Sequence, residues 1–170
     1  MTTAMAPITR LHSDPRPDDQ LRLLGIALPP PRRPVANFVP AIRHGQLLYL
    51  SGQGPVDGQG TARRGTVGRD VTGEEAYQHA RQTAINLLSV AKEALGSLDC
   101  IERVIKVLGF VNAVPGFEDH PRVINGCSDL LLDVFGPIRG AHARSAIGAG
   151  SLPRQITVEI EMIIAVKEAG

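Results

Sequence analysis

The sequence predicts an α+β fold, a mixed sheet with two helices packed on one of its faces. Three patterns carry that expectation. Residues 156–166 alternate, with Ile156, Val158, Ile160, Met162, Ile164 and Val166 on one side and Thr157, Glu159 and Glu161 on the other. A long amphipathic helix is bracketed by a capping-box pattern at Thr72 and Glu75 and by a glycine stop at Gly96. Residues 101–114 are apolar on both sides, as expected of a central strand covered on both faces.

Bulk properties narrow the class. A chain of 170 residues suits one domain with a core of its own. Its 43% hydrophobic and 21% charged content is ordinary for a globular protein. A formal net charge of +1 without a basic run gives no nucleic-acid footprint. Aromatic residues make up 4% and Trp is absent, which removes a base-stacking platform. Cys100 and Cys127 stand apart from each other and from spaced histidines, so packed, reduced thiols are expected and no metal. The first seven residues lack a signal-peptide pattern, and no apolar run is long enough to span a bilayer. The expectation is a cytoplasmic protein with no membrane partner.

The elements follow in order. Residues 1–34 read as an N-terminal extension: a loose leader through residue 17, a short helix over 18–24, then a stiff proline-rich connector from Leu28 to Pro34. Residues 35–170 form the domain. Runs at 37–43 and 46–51 flank Arg43, His44 and Gly45 as a hairpin, and Pro40, lacking an N–H, places the first run at an edge or interrupts it. The glycine-rich stretch 51–60 fits neither a dinucleotide fingerprint nor a Walker loop, and reads as flexible. In the first long helix Ala76, Ala80, Ala84, Leu87, Leu88, Ala91 and Leu95 mark the buried face, leaving His79 and Arg81 solvated. A second helix opens near Asp119 and Pro121, buries Ile124, Cys127, Leu131 and Val134, and closes at Gly136 and Pro137. Strands over 142–149 and 156–166 complete a β-β-α-β-α-β-β order.

The chemistry centres on Arg144 and Glu159, expected on neighbouring strands. A planar guanidinium beside a carboxylate suits a small anionic substrate, although Arg144 in an intersubunit ion pair with Glu159 or Glu161 fits the same pattern. With both helices on one side, the apolar opposite face predicts association with further copies, a charged cleft between them. The alternative is an N-terminal segment folded back over that face. His12, His44 and His120 read as surface residues, His142 as structural, and Ser145 as pointing away from Arg144.

Several segments carry a resemblance: residues 48–55 (Leu48, Tyr49, Leu50, Ser51, Gly52, Gln53, Gly54, Pro55), the helix end at 94–99, the strand 104–112, Asn125, and above all Ala143, Arg144, Ser145, Ala146, Leu152, Pro153 with Val158, Glu159, Ile160, Glu161. Over roughly residues 35–168 the chain resembles the reactive intermediate deaminase family (Rid, YjgF-like or L-PSP endoribonuclease-like). The resemblance implies a chorismate-mutase-like protomer in a homotrimer with a central β-barrel and three sites between subunits. It implies cofactor-free hydrolysis of enamines or imines such as 2-aminoacrylate to a 2-keto acid and ammonia. Arg144 falls on the arginine that grips the substrate carboxylate, and Glu159 on the glutamate associated with the attacking water. Ser51, Gly52, Gln53 and Asn125 fall on pocket residues. Three positions depart from the family pattern: Phe38 stands for a tyrosine, Ala146 for a cysteine and Gly148 for a glutamate, with a lengthened approach to the second helix around residues 118–120. These departures leave open a bulkier substrate, or a non-catalytic protein that senses a 2-keto acid in the same clefts. Endoribonuclease activity, attached to the family name, finds no basic stripe here.

Overall fold

Thr72 opens the longest helix because its hydroxyl and the Glu75 carboxylate satisfy backbone donors reciprocally: Glu75 N–H donates to Thr72 Oγ1 at 3.2 Å, and Thr72 N–H donates to Glu75 Oε2 at 2.8 Å. Gly96 ends it in the left-handed region at φ 77°. In the computed structural model, which describes residues 16–34 and 36–168, the elements are α1 (Pro17–Leu23), β1 (Ala41–His44), β2 (Leu47–Gln53), α2 (Gly73–Leu95), β3 (Ile101–Asn112), α3 (His120–Arg139), β4 (Ala143–Ala149) and β5 (Val158–Val166). The leader expected over residues 1–17 lies, through residue 15 and with His12, outside the described residues.

The five strands form one mixed sheet in the order β1-β2-β5-β3-β4. β3 and β4 run parallel and are joined by α3, while the other pairs are antiparallel. The α+β class with α2 and α3 on one face holds. One expectation does not: β4 and β5 are not neighbours, because β3 lies between them. The helical side of the sheet is dry. Leu48, Leu50, Val104, Val107, Val111, Ile160, Met162 and Ile164 are all buried there against Leu87, Leu88, Leu130 and Leu131. The two helices approach closely at Gly126, where a Cβ would meet the Tyr77 carbonyl of α2 and lie 3.0 Å from the Arg81 nitrogen.

Local departures have simple causes. The first strand begins only at Ala41, because Pro40 has no N–H to donate; its carbonyl accepts from Ser51 N–H at 3.0 Å instead. α3 breaks at Gly136 (φ 78°, ψ 174°) before a last turn led by Pro137. His79 is half-buried rather than solvated: its Nδ1 lies 2.9 Å from Thr157 Oγ1, since the chain entering β5 packs beside that turn of α2. Arg81 reaches Asp133 at 3.5 Å. The glycine-rich stretch is anchored, with Asn86 Nδ2 donating to the Gly54 and Val56 carbonyls, each at 2.9 Å.

The other sheet face is open. Ile42 is 61% exposed, Ile147 47% and Tyr49 39%, and Leu108, Phe110 and Ile163 lie only partly covered among them. α1 does not cover this face. It packs by Leu21 beside α3 and the start of β3, held by a Lys92–Asp18 ion pair at 2.8 Å. Among the described residues, no helix is long and apolar enough to cross a membrane.

Candidate functional site

Strand register decides which way the charged residues point. Leu50 pairs with Met162, Met162 with Val107 and Val107 with Arg144, so these four form one row across the sheet. The first three are buried under the helices, and Arg144 therefore points to the helical side. Phe110 pairs with both Glu159 and Ile147, which places Glu159 on the open side. Arg144 and Glu159, expected on neighbouring strands, thus occupy opposite faces of the sheet, with β3 between their strands.

The arginine half lies under the start of α3. Arg144 Nη1 donates to Asn125 Oδ1 at 2.8 Å and to Ser128 Oγ at 3.0 Å, and Nη2 donates to the Pro121 carbonyl at 3.3 Å. Asn125 and Ser128 are three apart on one helix face, which is why both reach one guanidinium. His142 backs this arrangement. Its Nδ1–H donates to the Gly140 carbonyl at 2.7 Å, which leaves Nε2 to accept from the Ser128 hydroxyl at 2.9 Å. Burial, with Arg144 adding to it, pushes His142 below the ordinary histidine pKa and keeps it neutral, so it steers Ser128 and adds no charge. Cys127 is fully buried nearby, and burial pushes its thiol up to about 12, so it supplies no thiolate. Ala146, two residues on, shares the face of Arg144 in the next row, opposite Gly109, and packs on the core. At Gly148 a Cβ would lie 2.6 Å from His120 Nε2. The imidazole, set edge-on to Phe117 at 5.1 Å, fills the space a side chain at 148 would take. His120 is thus a half-buried filler rather than a surface residue. Ser145 points to the open side and accepts from Lys106 Nζ at 2.9 Å.

The carboxylate half is built at an irregularity. The β2–β5 register slips between Leu50 and Gln53, and the resulting bend lays Gly52 directly against the Glu159 carboxyl. Any side chain at 52 would strike Glu159. Ser51 Oγ donates to the Val39 carbonyl at 2.7 Å, tying the segment before β1 to this bend, and Gln53 Nε2 donates to the Ser51 carbonyl at 3.3 Å. Phe38, 47% exposed, stands at the mouth with Gly52 and Glu159. Burial, with the Glu161 charge adding to it, raises the pKa of Glu159 above the ordinary glutamate value. Among the described residues of one chain neither Glu159 nor Arg144 has a side-chain ion pair.

Beside Glu159 opens a cleft of about 780 Å³ between the connector, the 53–64 loop and the turn before β5. Arg32, Arg33, Arg64 and Arg154 line it. Sequence reasoning missed these arginines and Ser128. Only the Asn125–Ser128 spacing held a readable signal; the arginines are scattered over three segments that only the fold joins.

Residues 30–166 match the model of the family described as Endoribonuclease L-PSP. The chain is 40% identical to Protein TCP17 of Trypanosoma cruzi over 144 residues, 85% of this chain and 90% of that one. A crystal structure of Atu1372 from Agrobacterium tumefaciens, a protein of unknown function, shares 43% identity at a TM-score of 0.81, covering 89% of this chain and 94% of that one. A crystal structure of a candidate endoribonuclease from Shewanella oneidensis MR-1 superposes at a TM-score of 0.86 with 29% identity, over 89% of this chain and 100% of that one. Family match, sheet order and overall superposition agree, and the chain belongs to the endoribonuclease L-PSP (Rid/YjgF-like) family.

Proposed function

We propose that the chain works as a homotrimer and hydrolyses enamine or imine intermediates of the 2-aminoacrylate kind to a 2-keto acid and ammonia. The observation that supports this most is the division of the site into two half-sites on opposite sheet faces, each well formed and neither complete alone. Packing the open apolar face of one copy against its neighbours would cover Ile147, Phe110 and Tyr49 and bring one chain's Glu159 to the next chain's Arg144.

Each half then has a chemical task. Arg144, held by neutral partners and by no carboxylate, offers its remaining N–H donors to a substrate carboxylate. Glu159 takes a proton from a water that adds to the C=N carbon, and returns it to the departing nitrogen. Water oxygen ends in the new C=O, and the nitrogen leaves as ammonia. A carboxyl with a raised pKa suits both transfers, a contribution of about 10²–10⁴-fold. Gly52 matters because only a bare Cα leaves the carboxyl its place.

The test is direct. A dehydratase generates 2-aminoacrylate in situ, and keto-acid release is followed with wild type, Arg144→Ala and Glu159→Gln, while light scattering gives the assembly state. Acceleration by wild type alone, from a trimer, is the expected result. No acceleration by wild type would defeat the reading for this substrate.

A further inference from the structure

We propose that the cleft beside Glu159 takes the second anionic group of the substrate, so that the preferred intermediates are imines of acidic amino acids, 2-iminosuccinate or 2-iminoglutarate. This rests on the hydrolytic reading above for its chemistry, though not for its binding claim. The cleft, at about 780 Å³, far exceeds what a three-carbon enamine needs and falls among pockets for larger ligands. Its walls are proline rings and its charged groups are mostly cations.

The charge balance is lopsided. Arg32, Arg33, Arg64 and Arg154 face two carboxylates, Asp57 and Glu159. Asp57 is already occupied: it accepts from the Gln59 and Thr61 backbone N–H groups at 3.0 and 2.9 Å and from Arg63 Nη2 at 3.3 Å. Arg32 is spent on structure, since its Nη1 donates to the Gly60 carbonyl at 3.2 Å and pins the connector across the loop. Among the described residues, Arg33, Arg64 and Arg154 have no side-chain hydrogen bond or ion pair. Guanidinium groups gathered on one cleft without carboxylate partners favour an oxyanion.

Backbone geometry adds an independent sign. Arg154 and Gln155 both adopt left-handed conformations, φ 56° and 57°, and are the only non-glycine residues among those described that do so. That region favours glycine, and two consecutive residues held there store strain of the kind that clusters at ligand sites. The turn places Arg154 on the cleft wall. Arg64 pairs with Ile156, three residues before Glu159, or about 10 Å along the strand. A guanidinium reaching back along that interval would meet a group attached to a carbon held at Glu159.

Two measurements on the full chain decide the matter. Calorimetry compares 2-oxoglutarate with 2-oxobutyrate for wild type, for Arg64→Ala/Arg154→Gly, and for the charge-keeping Arg154→Lys. The glycine also relieves the left-handed strain, so the double variant folds, as a thermal melt checks. Wild type should bind the dicarboxylate at least about tenfold more tightly, the scale of one charge-assisted hydrogen bond. The double variant should lose that preference and Arg154→Lys keep most of it. Imines generated in situ from glutamate and from 2-aminobutyrate by flavin amino-acid oxidases, with dioxygen as the oxidant and semicarbazide competing, then give the rates. Equal affinity for the two keto acids, no binding of either, or a preference untouched in the double variant would overturn the proposal. A dicarboxylate preference in binding without acceleration of either imine would instead defeat the hydrolytic reading and leave the anion site standing.

Discussion

Gly52→Ala separates damage to the site from damage to the fold. A Cβ at 52 would lie 3.0 Å from Glu159 Cδ and 3.1 Å from Cγ, and closer still to Oε1, whereas ordinary contact starts at 3.4 Å. The carboxyl end of Glu159 has to swing away, and it can, because it is the free end of a flexible side chain. Gly52 is not in the left-handed region, so alanine adopts its backbone without strain. Lower chain entropy in the unfolded state favours the variant by about 0.4–1 kcal/mol. Repacking opposes it by about 1–3 kcal/mol. The net cost is roughly 1 kcal/mol, a Tm change of about 2–4 °C for a chain of this size. Activity should suffer far more, since misplacing a reacting group by about 1 Å costs on the order of 10²-fold. The assay pairs imine-hydrolysis rates with calorimetric melting, and Gly126→Ala serves as the contrast. There the new Cβ meets the Tyr77 carbonyl and the Arg81 nitrogen, which are helix backbone and cannot swing aside. Its cost should reach about 3 kcal/mol or more. Full turnover in Gly52→Ala, or melting as low as that of Gly126→Ala, would refute the reasoning.

Other expectations follow from single side chains. Glu159 has a raised pKa because burial and Glu161 disfavour its charged form, so its contribution to stability is complete below about pH 4 and is lost as pH rises through the raised value. Glu159→Gln should therefore melt higher than wild type at neutral pH and alike near pH 4; a pH-independent difference would contradict this. The Cys127 thiol, fully buried with its pKa pushed up to about 12, should react with iodoacetamide only as fast as the protein opens, while half-exposed Cys100 reacts first; mass spectrometry showing the reverse order would count against the packing. Thr72→Ala removes the hydroxyl that accepts from Glu75 N–H, while the backbone N–H of residue 72 still donates to Glu75, and should cost about 1 kcal/mol, or roughly 2–4 °C in Tm, with imine hydrolysis unchanged.

Much of the fold was readable where local chemistry and long periodicity agree. Thr72, Glu75 and Gly96 announced α2 because caps act over a few residues, and the alternation from Val158 to Val166 announced β5 because one sheet face is dry. Both patterns are short-range. The insertion of β3 between β4 and β5 is a pairing between distant segments, and no local signal encodes it. That pairing sets the direction of Arg144: its row runs through Val107 and Met162, so its facing depends on register in three strands together. Seen singly, Arg144 and Glu159 looked like neighbours. His79 was misread because the helical wheel leaves it just outside the apolar stripe, while Thr157 arrives there from the far end of the chain. The cleft arginines were invisible for the same reason: Arg33, Arg64 and Arg154 belong to three loops with no shared period.

A chain that keeps its guanidinium on one side and its carboxylate on the other can lend either to a companion whose own is broken. Mixed and refolded in equal amounts, Arg144→Ala and Glu159→Ala proteins, each inert by itself, should recover activity at about a quarter of all seams, through genetic-style complementation. On the proposed trimer selection would act on pairs of copies rather than on one molecule, and dilution below the dissociation constant should silence the protein without unfolding any part of it.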